Sequence, residues 1–383
     1  MEREDVLSMD GMKRNSTAQS ALMLRRMILM LTVVVTVLTA AALLQAFVAP
    51  YAYALDDGLA DDYSGKIVVL QSNDVHGKIS GYQYIAGLRN ELEKRGADVI
   101  LADCGDFSQG LPAVSYRRGE TAIRMMNKAG YDVVSLGNHE FDYGYDRLRE
   151  LLESAEFEVL CNDIVNKDGN FVLPRSKVIE KDGVKIGFTG TLTPETQTKA
   201  GPMKMSDLRF LDADSDPSIF SQMAEDVRAL RESGADLVIC LTHLGVDVVS
   251  SPYRSVDFTD YLKTKEAIYR PDMILDAHSH TVMTEDHDKV PIMSTGTEFR
   301  YIGVMTVDKK SMKLDTDIPP MLYEVKEGSS YSDPDVKAES DSILNEVEEI
   351  YGEVIGRADV VLNGNSVCGA LERAGIAHGA LSG

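Results

Sequence analysis

Residues 96–106 read Gly96-Ala97-Asp98-Val99-Ile100-Leu101-Ala102-Asp103-Cys104-Gly105-Asp106, and the pattern recurs along the chain. A glycine ends a helix in the left-handed conformation, an aspartate stands two residues on, and a β-branched apolar run then breaks into a polar loop. Gly130-Tyr131-Asp132-Val133-Val134 and Gly234-Ala235-Asp236-Leu237-Val238-Ile239 repeat it. The segments before these glycines carry apolar residues at helical spacing: Ile85, Leu88 and Leu92 before the first, and Phe220, Met223, Val227 and Leu230 before the third. Helices alternating with short apolar strands define an α/β fold. Residues 66–71 and 273–275 add strands of the same kind. Residues 177–180 and 184–188, joined by Lys181-Asp182-Gly183, read as a hairpin, and a second runs from Ile302 through Lys309-Lys310 to Leu314, so the sheets are mixed. Residues 193–217 show no periodicity and are expected to form a long loop.

The chain has 383 residues, 44% of them hydrophobic and 26% charged, which suits one large core or two domains. A net charge of -22 repels polyanions and argues against binding nucleic-acid duplexes, while small anionic substrates are accommodated if metal ions supply positive charge. The four cysteines, Cys104, Cys161, Cys240 and Cys368, form no CxxC pair and read as small core residues. Lys13, Arg14, Arg25 and Arg26 precede an apolar run over residues 27–48, followed by Ala52-Tyr53-Ala54. That order is an export signal with an A-x-A cleavage site, and the run is also long enough to serve as a membrane anchor. Either way, the residues after it are expected outside the cytoplasm, at the cell surface, in the periplasm or in the medium.

Five of the seven histidines lie in short polar loops directly after an apolar run. The loops are Asn73-Asp74-Val75-His76-Gly77, Gly137-Asn138-His139-Glu140, Leu241-Thr242-His243-Leu244-Gly245 and Ala277-His278-Ser279-His280, and Gly105-Asp106 places an aspartate in the corresponding position. Ligands of open α/β sheets bind beyond the carboxyl ends of the strands, where such loops converge. One cluster of Asp74, His76, Asp106, Asn138, His139, His243, His278 and His280 is therefore expected. Its nitrogen and oxygen donors suit zinc, manganese, iron, cobalt or nickel and are too many for one tetrahedral ion. Two divalent ions sharing a carboxylate suit this ligand count, and such a pair hydrolyses phosphate esters by attack of metal-bound hydroxide on phosphorus. Any one of these motifs alone is more often a capped turn or a solvated loop; their occurrence together and in order gives the reading its weight. No GxSxG elbow or GxxxxGK[ST] loop supports a serine hydrolase or a P-loop enzyme.

The ordered set Asp74-x-His76-Gly77, Gly105-Asp106, Gly137-Asn138-His139-Glu140, Thr242-His243 and His278-x-His280 resembles the calcineurin-like metallophosphoesterases. Asn138-His139-Glu140-Phe141-Asp142-Tyr143-Gly144 is similar to the bacterial 5′-nucleotidase and 2′,3′-cyclic-nucleotide phosphodiesterase group. The resemblance covers about residues 66–362. It implies a four-layer αββα sandwich with mixed sheets. It also implies one ion on Asp74, His76 and His280, another on Asn138, His243 and His278, and Asp106 bridging them. His139 would face the phosphate as a catalytic residue, with Asp142 orienting its ring, and Asn162 would contact substrate. The implied activity is that of an exported hydrolase of nucleotides or related small phosphate esters; the alternative is a catalytically weak, metal-binding surface module. Ala277 stands where the family usually has glycine, a change a negative φ tolerates.

The expected organisation is a signal or anchor over residues 1–54, an acidic linker over 55–65, the catalytic domain over 66–328, a linker-helix region over 329–364 and a tail over 365–383. Asp333-Pro334 marks the start of that helix, with Val336, Ile343, Val347 and Ile350 on one face for linking or docking. Nucleotidase-group members carry a second domain beyond such a helix, so the resemblance implies truncation at the Gly- and Ala-rich tail.

Overall fold

A computed structural model of the protein describes residues 59–200, 205, 207–326, 328 and 331–352. The expected export signal, the tail, Cys368 and His378 lie outside them. In chain order the strands are β1 (Lys66–Ser72), β2 (Asp98–Asp103), β3 (Val133–Ser135), β4 (Glu158–Leu160), β5 (Ile164–Asn166), β6 (Ser176–Lys181), β7 (Val184–Leu192) and β8 (Leu208–Phe210). They continue with β9 (Leu237–His243), β10 (Met273–Leu275), β11 (Val282–His287), β12 (Val290–Thr295), β13 (Tyr301–Asp308), β14 (Lys313–Leu314) and β15 (Met321–Glu324). The longer helices are α1 (Tyr82–Lys94), α2 (Glu120–Ala129), α3 (Tyr145–Leu152), α4 (Ile219–Glu232), α5 (Ser255–Leu262) and α6 (Pro334–Tyr351).

Two mixed sheets result. The first runs β14-β13-β1-β2-β3-β4 with β15 beside β13, and the second runs β11-β12-β10-β9-β7-β6. Parallel strands form both centres; antiparallel strands form both edges of the second sheet and the β13 side of the first, whose other edge, β4, is parallel to β3. The alternation of side chains explains the layering. Ile67 and Val69 of β1 and Ile100 of β2 pack with Phe188, Ile239 and Leu275 of the other sheet. Val68, Leu70, Val99 and Leu101 point the opposite way, onto a core shared with Ile85 and Leu88 of α1 and Ile123 of α2. On the far face of the second sheet, Val238, Cys240 and Ile274 meet Met223 and Val227 of α4 and Phe258 of α5. Helices thus cover the outer face of each sheet, giving the expected αββα order.

The glycines that end helices before β2, β3 and β9 all have positive φ: Gly96 at +93°, Gly130 at +79° and Gly234 at +92°. Both hairpins form, and the first turns on two residues, with Lys181 paired to Val184 and Asp182 and Gly183 at φ 49° and 83°. Cys104, Cys161 and Cys240 are buried and free. The loop expected over residues 193–217 is a correction: it holds a helical turn, Thr196–Lys199, and β8, which pairs antiparallel with β5. Its order comes from distant partners that local periodicity does not record.

Helix α6 docks on α1 and α2, beginning at Asp333, whose carboxylate accepts the backbone N–H groups of Asp335 and Val336. Asn90 donates to the same side chain at 2.7 Å. Gly87 makes the approach feasible, because a Cβ there would stand 2.3 Å from the Tyr331 carbonyl oxygen. Val336 and Ile343 are buried, whereas Ile350 is 52% exposed, so the docked face ends before the helix does.

Asp163 follows β4 in a fully buried position; one carboxylate oxygen accepts from the Leu192 N–H at 3.1 Å and from the Cys161 thiol, and the other has no partner. Burial pushes its carboxyl up to about 7. A folded-state pKa raised above the unfolded value contributes stability that is complete below about pH 4 and is lost as pH rises through 7. Asp163→Asn removes the charge and is expected to be more stable than wild type at pH 8 by about 2 kcal/mol, the difference shrinking at acid pH. Urea unfolding at pH 4.5 and 8 measures this, and an unchanged difference across that range contradicts it.

Candidate metal centre

The candidate ligands sit where parallel strands end. Asp74 and His76 follow β1, Asp106 follows β2, Asn138 opens a 3₁₀ turn after β3, His243 is the last residue of β9, and His278 and His280 follow β10. Backbone bonds tie the loops together: Asp74 N–H donates to Gly105 O at 2.9 Å, and His76 N–H to Asp106 O at 3.0 Å. The His278 N–H donates to the Asp74 carboxylate at 3.0 Å, linking the edges of the two sheets.

The side chains then converge. His76 Nε2 lies 3.0 Å from His280 Nε2, and His280 Nε2 lies 3.5 Å from Asp74 Oδ1. Asp106 Oδ2 stands between the halves, 3.2 Å from His243 Nε2 and 3.8 Å from His76 Nε2. The His243 and His278 rings are 5.1 Å apart at their centroids. Asp74, His76 and His280 could hold one metal ion, as could Asp74, Asp106 and His243. His139 comes close too, its ligand atoms grouping with those of His76 and Asp106. Its Nδ1 lies 2.7 Å from Asp142 Oδ2, and its backbone N–H donates to Asp106 Oδ1 at 2.9 Å.

Two observations test whether this set fits metal ions. Asn138 Oδ1 and His243 Nε2 are buried without a hydrogen-bond partner, an arrangement a folded chain keeps for a ligand. The second observation is that two carboxylates, Asp74 and Asp106, are buried among the histidines. Burial pushes Asp74 up to about 7. Burial works to lower His243, yet Asp106 and Asp74 raise it to about 10. Burial opposes ionisation of Asp106 as well, but His243, His139 and His76 hold its carboxyl far below the usual range. Burial takes His76 and His278 down to about 4, leaving them as neutral imidazoles with lone pairs to donate. The donor set fits divalent cations.

Five of these residues have left-handed backbones: Asp74 at φ 49°, His76 at 45°, Asp106 at 62°, His278 at 78° and His280 at 51°. Such strain clusters at functional sites and persists only where the surroundings impose it. Ala277 is outside the positive-φ region, so its methyl is accommodated in place of glycine.

Sequence reasoning assigned no role to Glu140. Its carboxylate is buried and accepts the N–H groups of Gly137 at 2.6 Å, Asp106 at 2.8 Å, and Phe107 and Ser108 at 2.9 Å each. One side chain thereby fastens the β2 loop to the β3 loop. Gly137 sits at the same junction, where a Cβ would stand 2.2 Å from Asp106 Oδ1 and 2.7 Å from His243 Cε1. Glu195 and Lys199 were also missed, because their segment lacks periodicity. Glu195 Oε2 lies 3.4 Å from His278 Nε2, and Lys199 lines the cavity beside His139, Asp142, His278 and His280. Asn162 is corrected in the other direction. It is 0% exposed, and its amide donates to Thr189 and accepts from Thr191, so it braces β7 instead of meeting substrate.

The chain matches the calcineurin-like phosphoesterase family over residues 67–282, and it belongs to that family, whose members are hydrolases that use divalent metals. A snake venom 5′-nucleotidase from Gloydius brevicauda is 27% identical over an alignment of 336 positions that covers 79% of this chain and 55% of that protein. The chain spans little more than half the length of such curated relatives. Its fold is similar to that of the calcineurin-like phosphoesterase YfkN from Bacillus subtilis, with a TM-score of 0.62 and 19% identity over 75% of this chain and 99% of that one. A 5′-nucleotidase precursor from Thermus thermophilus gives a TM-score of 0.63 and 19% identity, covering 81% of this chain and 68% of its own.

Proposed function

We propose that the protein is an exported phosphoesterase with two divalent metal ions that hydrolyses nucleotides or related small phosphate esters. The observation that carries this reading is the convergence of Asp74, His76, Asp106, His243 and His280 from separate strand ends, with buried Asn138 Oδ1 beside them lacking a hydrogen-bond partner. In this reading Asp74, His76 and His280 hold one ion, Asn138, His243 and His278 the other, and Asp106 lies between them. When bound, the ions activate water and polarise the phosphoryl oxygens.

The remaining work falls to the chain itself. In the metal-free chain burial opposes a charge on His139, but Asp142 and Asp106 outweigh it and raise its pKa to about 9. Its Nδ1–H is taken by Asp142, so Nε2–H is the proton offered to the leaving oxygen. Lys199, paired with Glu195, lines the same cavity. The nucleotide class is supported by relatives that bear the name 5′-nucleotidase. Export is supported by the basic and apolar order of residues 13–54 and by a relative from venom. Among the described residues no helix is long and apolar enough to cross a membrane.

Metal analysis together with turnover of AMP, 2′,3′-cyclic AMP and bis-p-nitrophenyl phosphate tests the proposal. Two bound ions and turnover of at least one ester support it; a protein that takes up no divalent metal and hydrolyses none of them overturns it. His139→Ala is expected to lower kcat by about 10²- to 10⁴-fold with metal content unchanged, and Asp142→Asn by a smaller factor of about 10. Full activity in His139→Ala removes its catalytic assignment.

A further inference from the structure

We propose that Glu195 is a positioning residue for the metal centre, acting through His278, with Lys199 as its counter-charge. The inference rests on the two-metal reading above and adds a group from a segment that carries none of the family-like motifs.

Glu195 follows the carboxyl end of β7 immediately before the turn Thr196–Lys199, in which Lys199 N–H donates to Glu195 O and Ala200 N–H to Thr196 O. One turn on, Lys199 Nζ comes back to Glu195 Oε2 at 2.5 Å. The same carboxylate oxygen approaches His278 Nε2 at 3.4 Å. His76, His243 and His280 each direct Nε2 at Asp74 or Asp106, within 3.9 Å. His278 directs Nε2 at Glu195. A neutral imidazole that gives its Nε2–H to a carboxylate keeps its lone pair on Nδ1, so Glu195 selects both the tautomer and the atom with which His278 binds an ion.

The arrangement is fixed from both sides. The backbone N–H of His278 donates to Asp74, and its left-handed φ of 78° sets the direction of the side chain. Glu195 then limits rotation of the ring, while Lys199 balances the charge of Glu195 and keeps its oxygen in place. A carboxylate behind a ligating imidazole orients the ring and raises its basicity, and its removal typically weakens metal affinity by about 10- to 100-fold.

The test uses the full chain. Nitrogen-15 spectra of the histidine rings in metal-free protein, with His278→Gln for assignment, are expected to show His278 as the Nε2–H tautomer and to show a mixture of tautomers in Glu195→Ala. Zinc titration against a chromophoric chelator is expected to show one of two zinc ions bound about 10-fold or more weakly in Glu195→Ala. Glu195→Gln, whose amide oxygen still accepts from Nε2–H, should recover most of that affinity. If wild type binds two zinc ions and hydrolyses esters, while Glu195→Ala matches it in tautomer and in both zinc affinities, the positioning role is overturned and the enzymatic reading stands. A wild-type protein that binds no zinc overturns both.

Discussion

Asp106→Asn is expected to lower kcat/KM for a phosphate ester by about 10³-fold, roughly 4 kcal/mol of transition-state stabilisation, and to reduce bound metal at the same time. Asp106 reaches both halves of the centre. Its Oδ2 approaches His243 and His76, its Oδ1 accepts the His139 N–H, and its backbone oxygen accepts the His76 N–H. Asparagine keeps the size and one oxygen but loses the negative charge and offers an amide N–H₂ where a metal ligand is needed. The fold should survive, because the shape is unchanged. Metal content by plasma mass spectrometry and ester turnover are read on the same preparation, and a variant with wild-type values for both removes Asp106 from the centre.

Glu140→Ala should cost stability more than any other single change near the site, roughly 4 kcal/mol, by leaving four buried N–H groups without an acceptor. The donors belong to Gly137, Asp106, Phe107 and Ser108, so the damage spans two loops that supply Asp106, Asn138 and His139. Glu140→Gln retains one acceptor oxygen and should fall between wild type and alanine. Urea unfolding of the metal-free proteins gives the comparison without any contribution from bound ions. A loss below about 1 kcal/mol in Glu140→Ala would show that water or another group replaces the carboxylate.

The strands and the site were legible in the sequence for a common physical reason. In the repeats that begin at Gly96, Gly130 and Gly234, helix ending, strand formation and loop follow one another within a few residues, and local preference agrees with the tertiary fold. The candidate ligands follow those strands directly, so topology gathers them. Glu140 stood in plain view within a motif, but its task depends on N–H groups of residues 106–108, and no local pattern announces a contact between loops. Glu195 and β8 escaped notice because their partners, His278 and β5, are remote in the chain. Asn162 misled because an asparagine looks the same whether it binds a substrate or two threonines. Ile350 has the right spacing for the docked face of α6, yet periodicity carries no information about where the neighbouring surface stops.

The left-handed backbones at Asp74, His76, Asp106, His278 and His280 also bear on how such a centre can change over time. Aspartate, asparagine and histidine enter that region more readily than other side chains with a Cβ, whereas β-branched residues are genuine outliers there. The repertoire open to drift at these positions is therefore narrow even before any chemistry is considered. Glycine is the substitution that relieves the conformation, but at Asp74 and Asp106 it would also remove the carboxylates that accept the His278 and His139 N–H groups, so relief of the backbone comes at the expense of the ties between loops.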